Sequence, residues 1–212
     1  MSPEDKLIYS DKVPFWFNEM MCGLMLGDGN LRMKGTHALL SVQQVHSELT
    51  INLWDICFSL NLVINPVKTI KRKTRQIVYY FQTLTKPYFT SVYNARYINV
   101  NDVVIKSLPI NIQVLITPLP LAHWIIGDGG YDGHGRGVGR VTLYTNNFTL
   151  AEVELLQSIL LDKFGLKTYL RKVANADPAR GYAIRFASES LTQLRSVCTP
   201  HIYPTLMYKL GL

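Results

Sequence analysis

The sequence predicts an α+β protein built from two pseudo-symmetric halves, each ordered helix-strand-strand-helix-strand-strand-helix. Three observations carry that reading. An apolar run ending in Gly-Asp-Gly occurs twice, as Cys22 to Gly29 and as Ala122 to Gly129, with Asp28 and Asp128 a hundred residues apart. Each copy is followed by short segments of period-two alternation and then by a segment of helical period. The chain is 212 residues long, so two halves of about a hundred residues can fold as one unit with a sizeable core.

The elements follow in order. The first apolar run reads as a helix stopped by its glycines. Strand-like pieces cover 31–34 and 37–44, and a helix runs from Ser47 to about Leu60 with Leu49, Leu53, Ile56, Cys57 and Leu60 on one face. Strands near 67–73 and 76–83 precede a polar-aromatic helix over 86–97. The Pro-containing stretch 107–120 reads as a linker, giving an N-terminal half over 1–106 and a C-terminal half over 121–212. After Asp128 come a Gly-rich hairpin, a strand over 139–146 and a helix over 150–164. That helix has a capping box from Thr149 and Glu152, a staple from Phe148 and Val153, and Gly165 as its stop. Strands over 167–173 and 182–187 and a helix over 190–197 complete the half.

Composition narrows the function. Lys and Arg total 22 against 15 Asp and Glu, a net charge of +7, which points to an anionic partner with nucleic acid first. With 48% hydrophobic and 17% charged residues the chain is globular and not disordered. The longest apolar stretch, 114–126, is broken by Pro118 and Pro120 and is too short to span a bilayer, so no membrane partner is expected. No signal or transit peptide is apparent at the N-terminus. Cys22, Cys57 and Cys198 are an odd, scattered set that reads as reduced core thiols of an intracellular protein. The three tryptophans, with apolar neighbours, read as core.

The basic residues are segregated. No acid occurs from Ile56 to Asn101, while Lys68, Lys71, Arg72, Lys73, Arg75, Lys86 and Arg96 all fall there. Alternation puts Arg32 with Lys34, Gln76 with Tyr80 and Gln82, Arg140 with Thr142, Tyr144 and Asn146, and Lys167 with Tyr169 and Arg171 on shared strand faces. One face of an antiparallel sheet can remain solvated, and these side chains suit phosphate oxygens and base edges. Gln44, Lys172, Arg180 and Arg185 complete the candidate set. Arg136, in the Gly-rich segment 133–139, is a further candidate for the DNA backbone. That segment is neither a GxGxxG nor a P-loop pattern and precedes a strand. His37, His46 and His201 show no metal-ligand spacing, and His134 reads as loop surface.

The two aspartates carry the chemistry. Gly23 and Gly27 leave one helix face without side chains, which lets a second backbone approach. If the two apolar helices pack side by side, Asp28 and Asp128 meet at one end, beside unpaired helix carbonyls. Two carboxylates with carbonyl oxygens make a hard-oxygen site for Mg²⁺, which can activate water and stabilise charge on a phosphodiester.

The motifs Met21-Cys-Gly-Leu-Met-Leu-Gly-Asp-Gly29 and Leu121-Ala-His-Trp-Ile-Ile-Gly-Asp-Gly-Gly130 resemble those of the LAGLIDADG homing endonucleases in their single-chain, two-motif form. The second motif, the stretch 145–156 and the closing Met207-Tyr-Lys-Leu210 look like the branch of the yeast mitochondrial omega-intron endonuclease. The resemblance implies an antiparallel β saddle lying on DNA and a monomer cutting a long non-palindromic site to leave 3′ overhangs. It implies Asp28 and Asp128 as metal-binding acids, helped by the carbonyls of Gly27 and Gly127, and Lys106 and Lys209 as basic residues of the reaction centre. Mg²⁺ is the expected cofactor, Mn²⁺ a substitute, and Ca²⁺ an ion that supports binding without cleavage. A mitochondrion or other organelle is the implied location. The alternative is an RNA maturase, the same fold holding group I intron RNA without cutting DNA; a DNA-binding regulator is a third reading. Neither has a reason to keep both acids. Met21 and Cys22 stand where many members have Leu-Ala, a mild change that should still pack, whereas His123 and Trp124 replace small residues, so the helix packing there should differ from that of the most symmetric members.

Overall fold

A computed structural model of the chain describes residues 13–133, 139–173 and 180–212. Its secondary structure follows the expected order: α1 (Phe15–Leu26), β1 (Asn30–Lys34), β2 (His37–Gln44), α2 (Ser47–Ser59), β3 (Lys68–Lys71), β4 (Ile77–Gln82) and α3 (Pro87–Arg96), then, after a separate hairpin, α5 (Pro118–Asp128), β7 (Gly129–Asp132), β8 (Arg140–Tyr144), α6 (Leu150–Phe164), β9 (Thr168–Lys172), β10 (Tyr182–Phe186) and α7 (Leu191–Cys198). The hairpin is β5 (Tyr97–Val100) with β6 (Val103–Lys106), followed by one turn of helix, α4 (Ile112–Leu115). Three 3₁₀ segments, Ser188–Ser190, Thr199–His201 and Pro204–Leu210, flank and follow α7.

The two four-stranded sheets share one topology, β1-β2-β4-β3 and β7-β8-β10-β9, with antiparallel pairing throughout. The same strand order built from the same element order is the structural form of the sequence repeat. The 107–120 stretch is partly helical, since it holds α4 and the first turn of α5.

Two compact units divide the chain. One contains residues up to Asn18 and Gly29–Asn94; the other contains Glu19–Asp28 and Ala95–Leu212. In the first unit, Leu31, Leu40, Val42 and Phe81 line the inner face of the sheet. They share a core with Leu49, Leu53 and Cys57 of α2 and Phe89 of α3. In the second, Val141, Leu143, Ile184 and Phe186 play that part beside Val153, Leu156 and Leu160 of α6 and Leu194 of α7. Helix α5 is buried from Pro120 to Ile126 with no polar stripe, as expected of a helix apolar on all sides.

Helix α6 shows why its bounds are readable. The Thr149 hydroxyl accepts the Glu152 N–H at 3.3 Å, and Glu152 Oε2 accepts the Thr149 N–H at 2.8 Å. Gly165 closes the helix at φ +64°, a left-handed conformation that costs glycine little. Glu152 Oε1 also accepts the Leu108 N–H at 2.8 Å, which fastens the 107–120 stretch to this helix.

The three cysteines are buried. The tryptophans differ from expectation: Trp124 is in the core, but Trp16 is 42% exposed, and Trp54 stacks at the surface on Phe58. Lys86 and Arg96, counted with the solvated basic run, are buried: Lys86 forms a β-bridge with Ala38 just before α3, and Arg96 is the last residue of α3. Among the described residues, no helix is long and apolar enough to cross a membrane.

Candidate active site

The last part of α1 and all of α5 fall in one unit, and there the two motifs meet. Their glycines explain how closely. A Cβ on Gly27 would stand 3.2 Å from Gly127 Cα, and one on Gly127 would stand 3.0 Å from the Asp28 nitrogen. Both neighbours are backbone atoms that cannot step aside. One turn earlier, Gly23 packs against the Pro120 carbonyl and the Cβ of His123, so the missing side chain on α1 accommodates the bulk of His123 on α5. At the far end of the pair, the Thr117 hydroxyl donates to Glu19 Oε1 at 2.6 Å.

This packing brings Asp28 and Asp128 within hydrogen-bonding reach of each other. Helix α1 ends at Leu26, leaving Asp28 in the turn beyond, whereas α5 runs on to Asp128. Burial, the Asp28 charge and the shared hydrogen bond push the Asp128 carboxyl from 3.8 up to about 7, against the pull of Lys106 and Lys209.

Each helix end also receives a lysine. Lys106 Nζ donates to the Gly27 carbonyl at 2.9 Å. Lys209 Nζ donates to the carbonyls of Ile126, Gly127 and Gly129 at 2.6, 3.1 and 3.1 Å. The negative pole of a helix C-terminus favours such ammonium groups. The Gly27 and Gly127 carbonyls, nominated from sequence as metal ligands, therefore each accept a lysine here. Burial brings Lys106 down to about 8, and it also lowers Lys209, although both aspartates oppose the change.

The donor set fits a hard divalent cation. Two carboxylates this close must share a proton or a cation, and the nearby oxygens are carbonyls. Among the described residues, no group of three or more His, Cys, Asp or Glu stands together in the manner of a metal site.

The candidate nucleic-acid residues divide by strand register. In the second sheet, Thr142 pairs with Arg185 and Arg185 with Tyr169, while Ala183 pairs with Tyr144 and Arg171. Arg140, Tyr144, Tyr169 and Arg171 are accordingly exposed on one face, with Arg185 half-buried among them. Thr142 lies on that face but is buried, and Lys172 lies on the other face. Asn146 is exposed beyond β8. Lys167 precedes β9 and pairs with Glu189 at 2.8 Å, and Arg180 donates to the Asn147 carbonyl at 2.5 Å. In the first sheet, Arg32, Lys34, Lys68, Tyr80 and Gln82 share a face, interrupted by buried Leu39 and Val78. Gln44 and Lys71 fall on the opposite face, since one residue of offset reverses direction in a strand. Arg72, Lys73, Arg75 and Gln76 are exposed around the β3–β4 turn. Arg136, like His134, lies outside the described residues.

One element at the site is absent from the sequence-based expectations. The β5–β6 hairpin delivers Lys106, and its turn at Asn101 and Asp102 takes positive φ at both positions (50° and 63°). The alternation in Tyr97-Ile-Asn-Val-Asn-Asp-Val-Val-Ile-Lys106 around a polar pair is the signal that marks it.

A family model described as the LAGLIDADG DNA endonuclease family matches residues 18–194, spanning both motifs and both sheets. The chain belongs to the LAGLIDADG DNA endonuclease family. Among curated relatives of this LAGLIDADG protein, the cytochrome b mRNA maturase bI2 of Debaryomyces hansenii is 32% identical over 91% of this chain and 72% of its own length. The DNA endonuclease I-ChuI of Chlamydomonas applanata is 24% identical over 91% of this chain and 93% of its own. The homing endonuclease I-WcaI, solved bound to its DNA recognition sequence, superposes with a TM-score of 0.79 at 21% identity, covering 99% of this chain and 92% of that one. A second solved LAGLIDADG fold, an I-DmoI variant with its target DNA in the presence of Mn, gives a TM-score of 0.54 at 17% identity over 88% of this chain and 96% of that one.

Proposed function

We propose that this LAGLIDADG protein is a site-specific DNA endonuclease of the intron-encoded type, which hydrolyses one phosphodiester in each strand of a long non-palindromic site. The single observation that carries the reading is the meeting of Asp28 and Asp128 at the paired helix ends, each beside a lysine. A DNA-binding protein that does not cut would gain nothing from two carboxylates in a basic surface, where they repel phosphate.

Asp28 and Asp128 would hold divalent metal, with Mg²⁺ the proposed ion. When bound, the metal supplies an activated water and neutralises charge on the phosphate. The remaining work belongs to the chain. The Gly27–Gly127 contact sets the carboxylate spacing. Lys106, lowered to about 8, exchanges a proton near neutral pH, and Lys209 places positive charge beside both aspartates. The exposed faces of the two sheets, with Arg32, Lys34 and Lys68 on one and Arg140, Tyr169 and Arg171 on the other, contact DNA. A chain with two unequal halves (residues 1–106 and 121–212, joined by 107–120) suits a monomer on an asymmetric site.

Relatives fit a reading frame inside an organellar intron, since one of them is a cytochrome b mRNA maturase. That name also favours a second reading, an RNA maturase that holds intron RNA. Incubation with the intron-free allele of the host gene separates the two. Cleavage with Mg²⁺ but binding alone with Ca²⁺ supports the endonuclease. Tight binding to intron RNA with no cleavage of DNA in Mg²⁺ supports the maturase.

A further inference from the structure

Two arginines outside the motifs and outside the basic strand faces stand at the segments that carry the two lysines, Arg195 through its guanidinium and Arg96 through its backbone carbonyl, with the Arg96 guanidinium reaching α1. We infer that Arg96 and Arg195 are positioning residues, one for each active-site lysine, an inference that rests on the endonuclease reading above.

Lys106 sits at the end of a two-stranded ribbon. Among the described residues no third strand joins it, and such a ribbon is marginal by itself. Arg96 supplies the anchor. It is 5% exposed at the end of α3, and its carbonyl accepts the Ser107 N–H at 2.8 Å, next to the terminal Tyr97–Lys106 pair of the ribbon. Its guanidinium stands within hydrogen-bonding reach of the Cys22 sulfur on α1. Lys106 reaches the same helix end at Gly27. One residue therefore joins the base of the ribbon to the helix whose carbonyl the lysine must find.

Lys209 sits in Pro204–Leu210, a 3₁₀ segment of seven residues, longer than such helices usually persist. Arg195 of α7 closes it: Nε donates to the Leu210 carbonyl at 2.9 Å and Nη2 to the Gly211 carbonyl at 3.4 Å. A planar fork spans two successive carbonyls in a way an ammonium does not. The two anchors are unlike in sequence and in geometry, and each serves a different lysine.

The consequence is strand-selective. Arg96→Met and Arg195→Met, with Arg96→Lys and Arg195→Lys as milder variants, are assayed in single turnover with Mg²⁺. The substrate is a duplex carrying the intron-free allele, with each strand separately end-labelled. Arg96→Met should slow one strand by on the order of tenfold or more, and Arg195→Met the other. Plasmid substrate should accumulate as nicked circle, and DNA affinity in Ca²⁺ should stay at the wild-type value. If a methionine variant fails to fold, the same bias should appear, weaker, in its lysine variant. Equal slowing of both strands, or weaker DNA binding with unchanged cutting rates, overturns the inference alone. A wild-type protein that cuts neither strand overturns the endonuclease reading itself.

Discussion

Asp28 and Asp128, a hundred residues apart in the chain, stand close enough to share a hydrogen bond, and the contact rests on the abutting backbones of Gly27 and Gly127. Without a cation, the pair opposes its own ionisation. The Asp128 carboxyl, raised from 3.8 to about 7, binds a proton in the folded state over a range where the unfolded chain has lost it. Its stabilising contribution is full below pH 3.8 and is lost as pH rises through 7. In chelator, Asp128→Asn should therefore raise the unfolding midpoint relative to wild type, more at pH 8 than at pH 5, and Mg²⁺ should raise the midpoint of wild type only. Thermal unfolding at the two pH values checks this; a variant less stable than wild type at pH 8 in chelator contradicts it.

The glycine contact gives a steric prediction. A methyl group on Gly127 would press on the Asp28 nitrogen and on Gly27 Cα, both within 3.1 Å. Gly127→Ala should cost about 1–3 kcal/mol of stability and depress cleavage further than it depresses DNA affinity, because the strain lies at the carboxylates. Parallel denaturation, binding and cleavage measurements separate these effects.

His123 has the opposite pH signature. Burial, with a smaller push from His201, lowers it from 6.5 to about 4, and its buried Nδ1 has no hydrogen-bond partner among the described residues. The folded protein keeps it neutral while the unfolded chain protonates it, so its contribution is full above pH 6.5 and falls toward pH 4. The shift corresponds to about 3 kcal/mol at most. Asp128 slopes the other way over this range, so the two must be separated by mutation. His123→Gln should lose less stability than wild type between pH 7.5 and pH 5 when both are measured with Mg²⁺ present. Identical losses in the two proteins contradict it.

Much of the architecture is legible in the amino-acid sequence. Helix α6 matches its expected bounds because both of its ends are marked locally, by the Thr149–Glu152 capping box and by Gly165, whose N–H turns back to the last-turn carbonyls. The repeat of Gly-Asp-Gly points to the paired helices because glycine is the residue that lets backbones touch. Side chains that depend on register are harder to read. Gln44 and Lys71 are one residue out of phase with the basic face, and Thr142 is on the right face yet buried. The anchoring role of Arg96 is invisible in the sequence for another reason. A charged residue in a basic run is expected at the surface, and its partners are a thiol and a backbone group from distant segments.

Glu152 offers a test of the fold independent of the chemistry. It closes the capping box and also accepts the Leu108 N–H. Glu152→Ala should cost about 1–3 kcal/mol, more than Thr149→Ala, because two separate backbone donors lose their acceptor. Urea denaturation of both variants reads the difference, and equal losses would contradict it.

If the two aspartates together make the cutting centre, removing both charges must abolish cutting and spare binding. The decisive assay is cleavage of a supercoiled plasmid carrying the intron-free allele by the Asp28→Asn, Asp128→Asn double variant in Mg²⁺, with DNA affinity measured alongside in Ca²⁺. The expected outcome is DNA affinity at least equal to that of wild type, with neither nicked nor linear product. Continued double-strand cleavage by the double variant would show that the aspartates are not the cutting centre.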